Sequence, residues 1–295
     1  MAYISRYNVN ELLNKHFDIE QKAEPNSNFP KISVVTASYN QGKFLERTIL
    51  SVLNQQYPNL EFIIVDGGST DESLAIIKKY EKHLAYWVSE KDSGQANAIN
   101  RGFKKATGDL LCFQNSDDLF CENSFNLVAN AFKNNPEVDV FYGDMLMIDA
   151  EDKVLEVLKT NNFDIKAQVL EGMQVFNQSM YFKKKLGEKH GFIEEKLKFV
   201  IDYENTLRYA INGAKFKKVE KLLGAFRKHE DAKTSNLEII RATEHEETRR
   251  QYYNLIFGDK QPNKLTALNL RLNKLFYFIG KCDFSYLLYR NSLRK

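Results

Sequence analysis

The chain has 295 residues, of which 43% are hydrophobic and 27% are charged, a balance typical of a folded protein with a substantial core. Its 42 basic and 39 acidic residues give a net charge of +3, which argues against the concentrated basic surface that bulk nucleic-acid binding requires. The three cysteines (Cys112, Cys121 and Cys282) form no zinc or redox motif and therefore favour a reducing compartment.

The sequence contains no sign of export or of a spanning helix. Residues 1–28 lack the apolar segment of a secretory signal, and no run of about twenty apolar residues occurs in the chain. We therefore expect a cytoplasmic protein, with attachment to the inner face of the membrane as the alternative to a freely soluble one. Residues 1–29 are polar and predict an N-terminal extension with one short helix at residues 9–19.

Between residues 30 and 143, apolar runs rich in β-branched residues alternate with helical apolar patterns. Strands are predicted at residues 32–37, 60–65, 84–88, 110–113 and 138–142. This alternation predicts an α/β protein with a mostly parallel sheet flanked by helices. The carboxyl ends of such strands share one rim, where open α/β sheets bind their ligands.

After residue 143 the strand–helix alternation stops. We predict a hairpin at residues 145–158, a strand at 174–182, a helix at 202–212, short strands at 215–219 and 222–226, and a helix within 236–257. Residues 265–295 mix leucines and phenylalanines with basic residues, and two interpretations remain open. They form either a basic amphipathic segment on an anionic membrane or a helical pair packed on the domain. We favour packing, because Asp283 and several asparagines dilute the amphipathic pattern.

Polar groups end three of the predicted strands. Asp117 and Asp118 follow the strand at residues 110–113 and could bind a hard divalent cation or form an acidic, solvated turn. The chain lacks the phosphate loop of ATPases, the glycine motif of dinucleotide-binding oxidoreductases and the nucleophile elbow of α/β-hydrolases. Paired carboxylates without a phosphate loop favour a metal that neutralises a diphosphate leaving group.

Four sequence blocks occur in a specific order along this rim. They are PKISVVTASYN at residues 30–40 with SVLNQ at 51–55, IIVDGGSTD at 63–71, DSGQANAINRG at 92–102 and QNSDD at 114–118. Their order and spacing resemble those of family 2 glycosyltransferases, densely from residue 30 to about 120 and loosely to about 235.

The resemblance implies a GT-A-type fold. We predict an extension at 1–29, a glycosyltransferase domain at 30–235 (donor-binding half 30–120, acceptor half 121–235) and a C-terminal helical region at 236–295. The resemblance also implies metal-dependent, inverting transfer of a sugar from a nucleotide-sugar donor. The cofactor would be Mn²⁺ or Mg²⁺, and the acceptor a glycan or a lipid-linked molecule in surface polysaccharide synthesis. No nucleic-acid partner is expected, and residues 265–295 are the segment that could contact a membrane.

The family's motifs assign roles to individual residues. The implied donor-binding residues are Thr36, Ser38, Tyr39, Asn40, Asp66, Asp92, Gln95, Asn115 and Asp117. The implied metal ligands are Asp117, Asp118 and His229, the last from a segment that resembles the family's Arg-x-His. Asp202 is the implied catalytic base, with Glu204, Glu194 and Glu195 as alternatives; an aspartate there is also a common helix N-cap. Asn177 and Gln178 resemble a block on the acceptor side.

Two departures from the family pattern affect the donor. Gly67 stands where the family often has an aspartate that contacts a uracil base, so the donor base stays open. Asn115 occupies the first position of the Asp-x-Asp motif. Two other functions remain as alternatives. A nucleotidyltransferase would need a glycine-rich basic loop after the first strand, which residues 38–42 lack. A non-catalytic sugar-binding module would not need the acidic pair and base that this chain retains.

Overall fold

The computed structural model describes residues 3–4, 13, 28–230, 238–258 and 264–293. The predicted extension 1–29 and its helix at 9–19 lie almost entirely outside this part of the chain. Within the described ranges, one nine-stranded mixed sheet is covered by helices on both faces. None of the helices in these ranges combines the length and the apolar character needed to cross a membrane.

The first half of the sheet is parallel, as predicted. Its strands are β1 (Ile32–Ser38), β2 (Leu60–Asp66), β3 (Tyr86–Ser89) and β4 (Leu110–Asn115), in the spatial order β3-β2-β1-β4. The connecting helices are α1 (Gly42–Leu53), α2 (Ser73–Lys79) and α3 (Gln95–Lys105). Because β1 alternates its side chains, Val34 packs under α1 on one face and Val35 packs under α3 on the other.

The second half of the sheet is mixed. It contains β5 (Leu119–Phe120), α4 (Ser124–Asn134), β6 (Val140–Ile148), β7 (Val154–Leu158), α5 (Ile165–Glu171), β8 (Met180–Lys183), α6 (Lys184–His190), α7 (Ile201–Ile211) and β9 (Phe216–Arg227). Strand β8 joins β4 to β6 in antiparallel fashion, and β6 pairs in parallel with β9.

Three predictions in this half need adjustment. The strand expected at 174–182 shortens to β8, because Asn177–Ser179 form a 3-10 turn. The two short strands expected at 215–219 and 222–226 are one strand, β9, whose register against β6 shifts near Asp144. The predicted hairpin is present as β6–β7 and is continuous with the strand predicted at 138–142.

The chain ends in three helices, α8 (Glu238–Phe257), α9 (Lys264–Gly280) and α10 (Phe284–Ser292). The β6–β7 hairpin turns Leu146 and Val157 towards α9 and α10, where they pack with Phe278, Tyr286 and Tyr289. The Tyr286 hydroxyl accepts a hydrogen bond from the Lys159 amide at 2.9 Å. The C-terminal helical pair is therefore packed on the sheet, as the favoured interpretation of residues 265–295 predicts.

Candidate active site

A cavity of about 1380 Å³ opens at the carboxyl ends of β1 and β4. Its walls come from the loops after β1, β2 and β3 on one side, and from the β6–β7 hairpin, α7 and α8 on the other. Seven of the nine predicted donor-binding residues line it: Ser38, Tyr39, Asn40, Asp92, Gln95, Asn115 and Asp117. The rim predicted from the strand ends is therefore a real concave surface.

Thr36 and Asp66, the other two predicted donor-binding residues, are fully buried and are not among the residues that line the cavity, so their donor-binding role stays a prediction. Thr36 is fully buried and lies two residues after Val34, on the sheet face that α1 covers. The fully buried carboxylate of Asp66 accepts hydrogen bonds from the Gly68 and Ser69 amides, at 3.1 and 2.8 Å, and from the Ser69 and Ser89 hydroxyls. Asp66 therefore shapes the turn beneath the cavity.

The Asp118 carboxylate is also buried and is not among the residues that line the cavity, so its role as a metal ligand stays a prediction. One carboxylate oxygen accepts a hydrogen bond from the Arg227 amide, and the other accepts from the side-chain amides of Asn115 and Gln178, each at 2.8 Å. Burial, with Asp117 nearby, raises the pKa of Asp118, and these three donors oppose the increase. Because Gln95 also donates to Asn115 at 2.6 Å, Asp118 anchors a polar network under the cavity.

Asp117 lines the cavity, and the buried His229, which is not among the lining residues, lies beside it. The Asp117 Oδ2 and His229 Nε2 atoms lie 3.1 Å apart, and the His229 ring packs on Phe44 with centroids separated by 4.4 Å. A carboxylate beside an imidazole suits Mn²⁺, which accepts both ligand types. Within the described ranges, no three His, Cys, Asp or Glu side chains are arranged to hold a metal ion. A cation here would therefore complete its coordination shell with oxygens of a bound ligand or water.

Arg227 ties the Asp117 turn to the β6–β7 hairpin. Only 1% of its surface is exposed, and its guanidinium donates to the carbonyl oxygens of Asp117 and Asp149, both at 2.8 Å, and to the carboxylate of Asp152 at 2.5 Å. Arg47 pairs with the same carboxylate at 2.8 Å. In the sequence, Arg227 stands out only as part of the Arg-x-His segment. Its burial was not predicted, because arginine is rarely found in a protein core.

Asp202 lies in the first turn of α7 and lines the cavity. Its Oδ1 accepts a hydrogen bond from the Tyr203 amide at 2.9 Å, and its Oδ2 accepts a longer one from the Asn177 amide at 3.4 Å. Burial raises the pKa of Asp202 to about 6, and these amide donors limit the increase. The residue at the N-cap of α7 is Val200, so the helix-cap interpretation of Asp202 is wrong.

The alternative bases lie elsewhere. Glu204 binds Arg208 at 2.9 Å and the Tyr252 hydroxyl at 2.7 Å, which ties α7 to α8. Glu195 binds the side-chain amides of Asn97 and Asn100. Neither of these glutamates, nor Glu194, is among the residues that line the cavity, and Asp202 is.

Close packing at Gly224 brings the two sides of the site together. A side chain at this position in β9 would place its Cβ 1.9 Å from the Gln178 carbonyl oxygen, so only glycine fits. The 3-10 turn Asn177–Ser179 consequently lies directly on the strand. This position brings Gln178 to Asp118 and the Asn177 amide to Asp202.

Sequence reasoning missed much of the far wall. Met145, Met147 and Leu158 of the hairpin line the cavity, and so do Phe226 of β9 and His245 of α8. The period-two alternation of β6 would have placed Met145 and Met147 on one face, but not on a particular cavity. His245 packs on Tyr203, with ring centroids 4.6 Å apart, and no local pattern indicates this contact between helices.

Comparison with known proteins places the chain among sugar-transferring proteins. The family model described as Glycosyl transferase family 2 matches residues 33–187, just over half of the chain. An uncharacterized glycosyltransferase of Mycobacterium tuberculosis is 45% identical over 92 residues, which cover 31% of this chain and 35% of that protein. An uncharacterized glycosyltransferase of Haemophilus influenzae is 33% identical over 150 residues, which cover 50% of this chain and 60% of that protein.

TuaG of Bacillus subtilis, whose name provisionally assigns it to teichuronic acid biosynthesis, is 43% identical over 94 residues, which cover 30% of this chain and 36% of TuaG. The matched segments thus span between about a third and three fifths of the length of these relatives.

Solved structures with the same fold extend over more of the chain. Residues 1–349 of S. aureus TarS, in complex with UDP-GlcNAc, align with a TM-score of 0.59 and 19% identity, covering 78% of this chain and 73% of TarS. The mannosyltransferase PcManGT from Pyrobaculum calidifontis, in complex with GDP-Man and Mn²⁺, aligns with a TM-score of 0.56 and 19% identity. This alignment covers 89% of this chain and 72% of PcManGT. These similarities confirm the GT-A-type α/β fold, and with the family match they lead to one conclusion: the chain belongs to glycosyl transferase family 2.

Proposed function

We propose that this protein is a metal-dependent inverting glycosyltransferase that moves a sugar from a nucleotide-sugar donor to a glycan or lipid-linked acceptor. The observation that carries the proposal is the shared cavity. Polar strand-end groups and Asp117 lie on one wall, and the buried carboxylate of Asp202 lies on the other. A donor bound on the first wall would present its anomeric carbon to an acceptor activated at the second.

The donor side offers the groups that a nucleotide needs. The Tyr39 side chain is 62% exposed at the end of β1, although aromatic residues are usually more buried. It offers a ring on which a base could stack, a contact worth about 1–3 kcal/mol. Asn40, Asp92 and Gln95 line the same side. TarS was solved with a UDP-sugar and PcManGT with a GDP-sugar, so the nucleobase of this protein's donor has to be determined by experiment.

Asp117 and His229 are the residues that we propose hold the divalent cation. Together with oxygens of the donor diphosphate they supply the ligand types that Mn²⁺ accepts, and Arg227 fixes the backbone of Asp117. When bound, the cation would act as a Lewis acid that neutralises the charge of the diphosphate leaving group. PcManGT was solved in complex with Mn²⁺, which agrees with this choice of metal.

Asp202 is the proposed general base. An acceptor hydroxyl near its Oδ2 atom would lose its proton to the carboxylate as the hydroxyl oxygen attacks the anomeric carbon. The bond to the diphosphate breaks on the opposite face of the sugar, so the configuration at that carbon inverts. The Tyr203 and Asn177 amides hold the carboxylate in place during this step.

The cellular part of the proposal is the synthesis of a surface polysaccharide on the cytoplasmic side of the membrane. The name of TuaG supports this assignment. We also propose that residues 30–120 bind the donor, residues 121–235 bind the acceptor, and residues 236–295 form a C-terminal helical region whose segment 265–295 contacts the membrane.

The direct test is turnover of UDP-, GDP- and dTDP-sugars with Mn²⁺ or Mg²⁺, measured as release of the nucleoside diphosphate. We expect metal-dependent turnover of one donor class, and the stereochemistry of the product determined by NMR should show inversion. Neither binding nor turnover of any donor by the folded protein would overturn the proposal. Retention of configuration would overturn its mechanism.

A further inference from the structure

One side of α9 exposes a row of large apolar side chains. They are Leu265, Leu268, Leu275, Phe276 and Ile279. At 100° per residue these five positions fall within an arc of about 100° around the helix axis. Leu270 and Phe278, on other sides of the helix, are buried against the domain. The exposed row is therefore a second apolar face of α9, distinct from the face that contains the buried Leu270 and Phe278.

Helix α10 also carries exposed apolar side chains. Phe284 and Leu288 lie one turn apart and are 55% and 73% exposed, whereas Tyr286 and Tyr289 of the same helix are buried. We call the seven exposed residues of α9 and α10 the C-terminal apolar face. Apolar side chains collected on one surface, rather than scattered singly, mark a site of interaction with a partner or a membrane.

The charge of this region selects the partner. Residues 264–295 contain seven basic residues and one acidic residue, a net charge of +6 in a chain whose total is +3. Three of these residues form ion pairs with the domain: Asp283 with Lys159, Lys281 with Glu220, and Arg290 with Glu156. Arg271 is exposed on α9, next to the apolar row. An apolar helical surface with an excess of basic residues fits the interface of a membrane that contains anionic lipids.

A second copy of the chain is a poorer fit. A twofold symmetric dimer buries the same patch of both subunits against itself. That arrangement would bring two segments of charge +6 together, and like charges at an interface are unfavourable. An anionic lipid surface satisfies both the apolar side chains and the positive charge.

We propose that α9 and α10 bind flat on an anionic membrane surface, with the C-terminal apolar face inserted among the lipid headgroups. This binding specifies the membrane contact proposed above for residues 265–295, and it does not depend on the proposed sugar transfer, since it uses other residues. It would place α9 and α10 between the lipid and the outer side of the β6–β7 hairpin, whose inner side lines the cavity. A lipid-linked acceptor could then reach the cavity without leaving the membrane surface.

The test uses the full chain and sedimentation with vesicles of phosphatidylcholine, with and without phosphatidylglycerol. We expect binding that requires the anionic lipid and weakens with added salt. The variant Phe276→Gln/Leu288→Gln should bind at least about tenfold more weakly, because two exposed apolar side chains lose their insertion energy. The matched control, Ile239→Gln/Leu255→Gln, alters two side chains of α8 that are 82% and 61% exposed and should bind like the wild type.

Several results would overturn the proposal. The wild-type protein could fail to bind anionic vesicles, or it could bind neutral vesicles equally well. The two double variants could also weaken vesicle binding to the same extent. A concentration-dependent dimer in light scattering that Phe276→Gln/Leu288→Gln abolishes would assign the face to self-association instead. Because the variant residues are exposed, both proteins should show wild-type thermal unfolding. Nucleoside diphosphate release measured on the same samples without vesicles would separate this result from a failure of the proposed function.

Discussion

Replacing Asp202 with asparagine should separate activity from stability. The substitution keeps the size of the side chain but removes the charge that a general base requires. Loss of a positioned base typically lowers turnover by about 10²–10⁴-fold. Donor binding should persist, because the proposed donor-binding residues lie on the opposite wall of the cavity. Nucleoside diphosphate release and donor affinity measured by calorimetry would record the two effects separately.

The same substitution should stabilise the fold at neutral pH. Burial raises the pKa of Asp202 from 3.8 to about 6, and this increase of about two units corresponds to about 3 kcal/mol. The native state therefore holds a proton that the unfolded state has lost between about pH 4 and 6, so wild-type stability falls as the pH rises through this window. Asparagine avoids this cost but loses one amide hydrogen bond, worth about 1 kcal/mol. A net gain of about 2 kcal/mol should raise Tm by about 3 °C.

The pH profile of the wild-type enzyme gives an independent check. Since the carboxylate must be ionised to accept a proton, kcat/KM should rise with pH and level off above about 6, with a tenfold loss for each pH unit below that value.

Glu204→Gln is the matched control for this prediction. Glu204 lies on the same helix but is held by Arg208 and Tyr252, so this variant should keep its activity and lose stability. Unchanged transfer by Asp202→Asn, or a lower Tm at neutral pH, would refute the reasoning.

Four further substitutions test the rest of the site. Arg227→Met should lower the free energy of unfolding in urea by about 3–5 kcal/mol, because it leaves buried acceptors without a donor. Arg101→Met, which removes an exposed ion pair, is the control and should cost less than about 1 kcal/mol. Gly224→Ala should lower Tm by several degrees in a thermal scan, because its Cβ would collide with a carbonyl oxygen. Tyr39→Ala should weaken donor binding by about 1–3 kcal/mol in calorimetry, with no change in Tm. Asp117→Asn should remove the increase in nucleotide affinity that Mn²⁺ gives the wild type, and an unchanged metal effect would exclude this ligand.

Local patterns were sufficient for the parallel half of the sheet. The apolar runs that form β1, β2 and β4 are buried on both faces and carry a strong sequence signal. Local sequence patterns do not predict the position of a side chain that is set by packing between distant segments. The motif predicts a donor-binding role for Thr36, but it does not indicate that this side chain is fully buried. Asp118 looked like an exposed ligand until the donors from Asn115, Gln178 and Arg227 were known. None of these contacts between distant segments leaves a local pattern.

The two-sided β6–β7 hairpin limits how the chain can be shortened. Leu146 and Val157 on its outer side depend on α9 and α10 for cover, while Met145 and Met147 on its inner side form part of the cavity wall. Cutting the chain before residue 265 would bare the outer side to water and favour distortion or aggregation of the wall itself. A truncated protein that lost activity would therefore report damage to the catalytic half, and point substitutions are the sound way to study these helices.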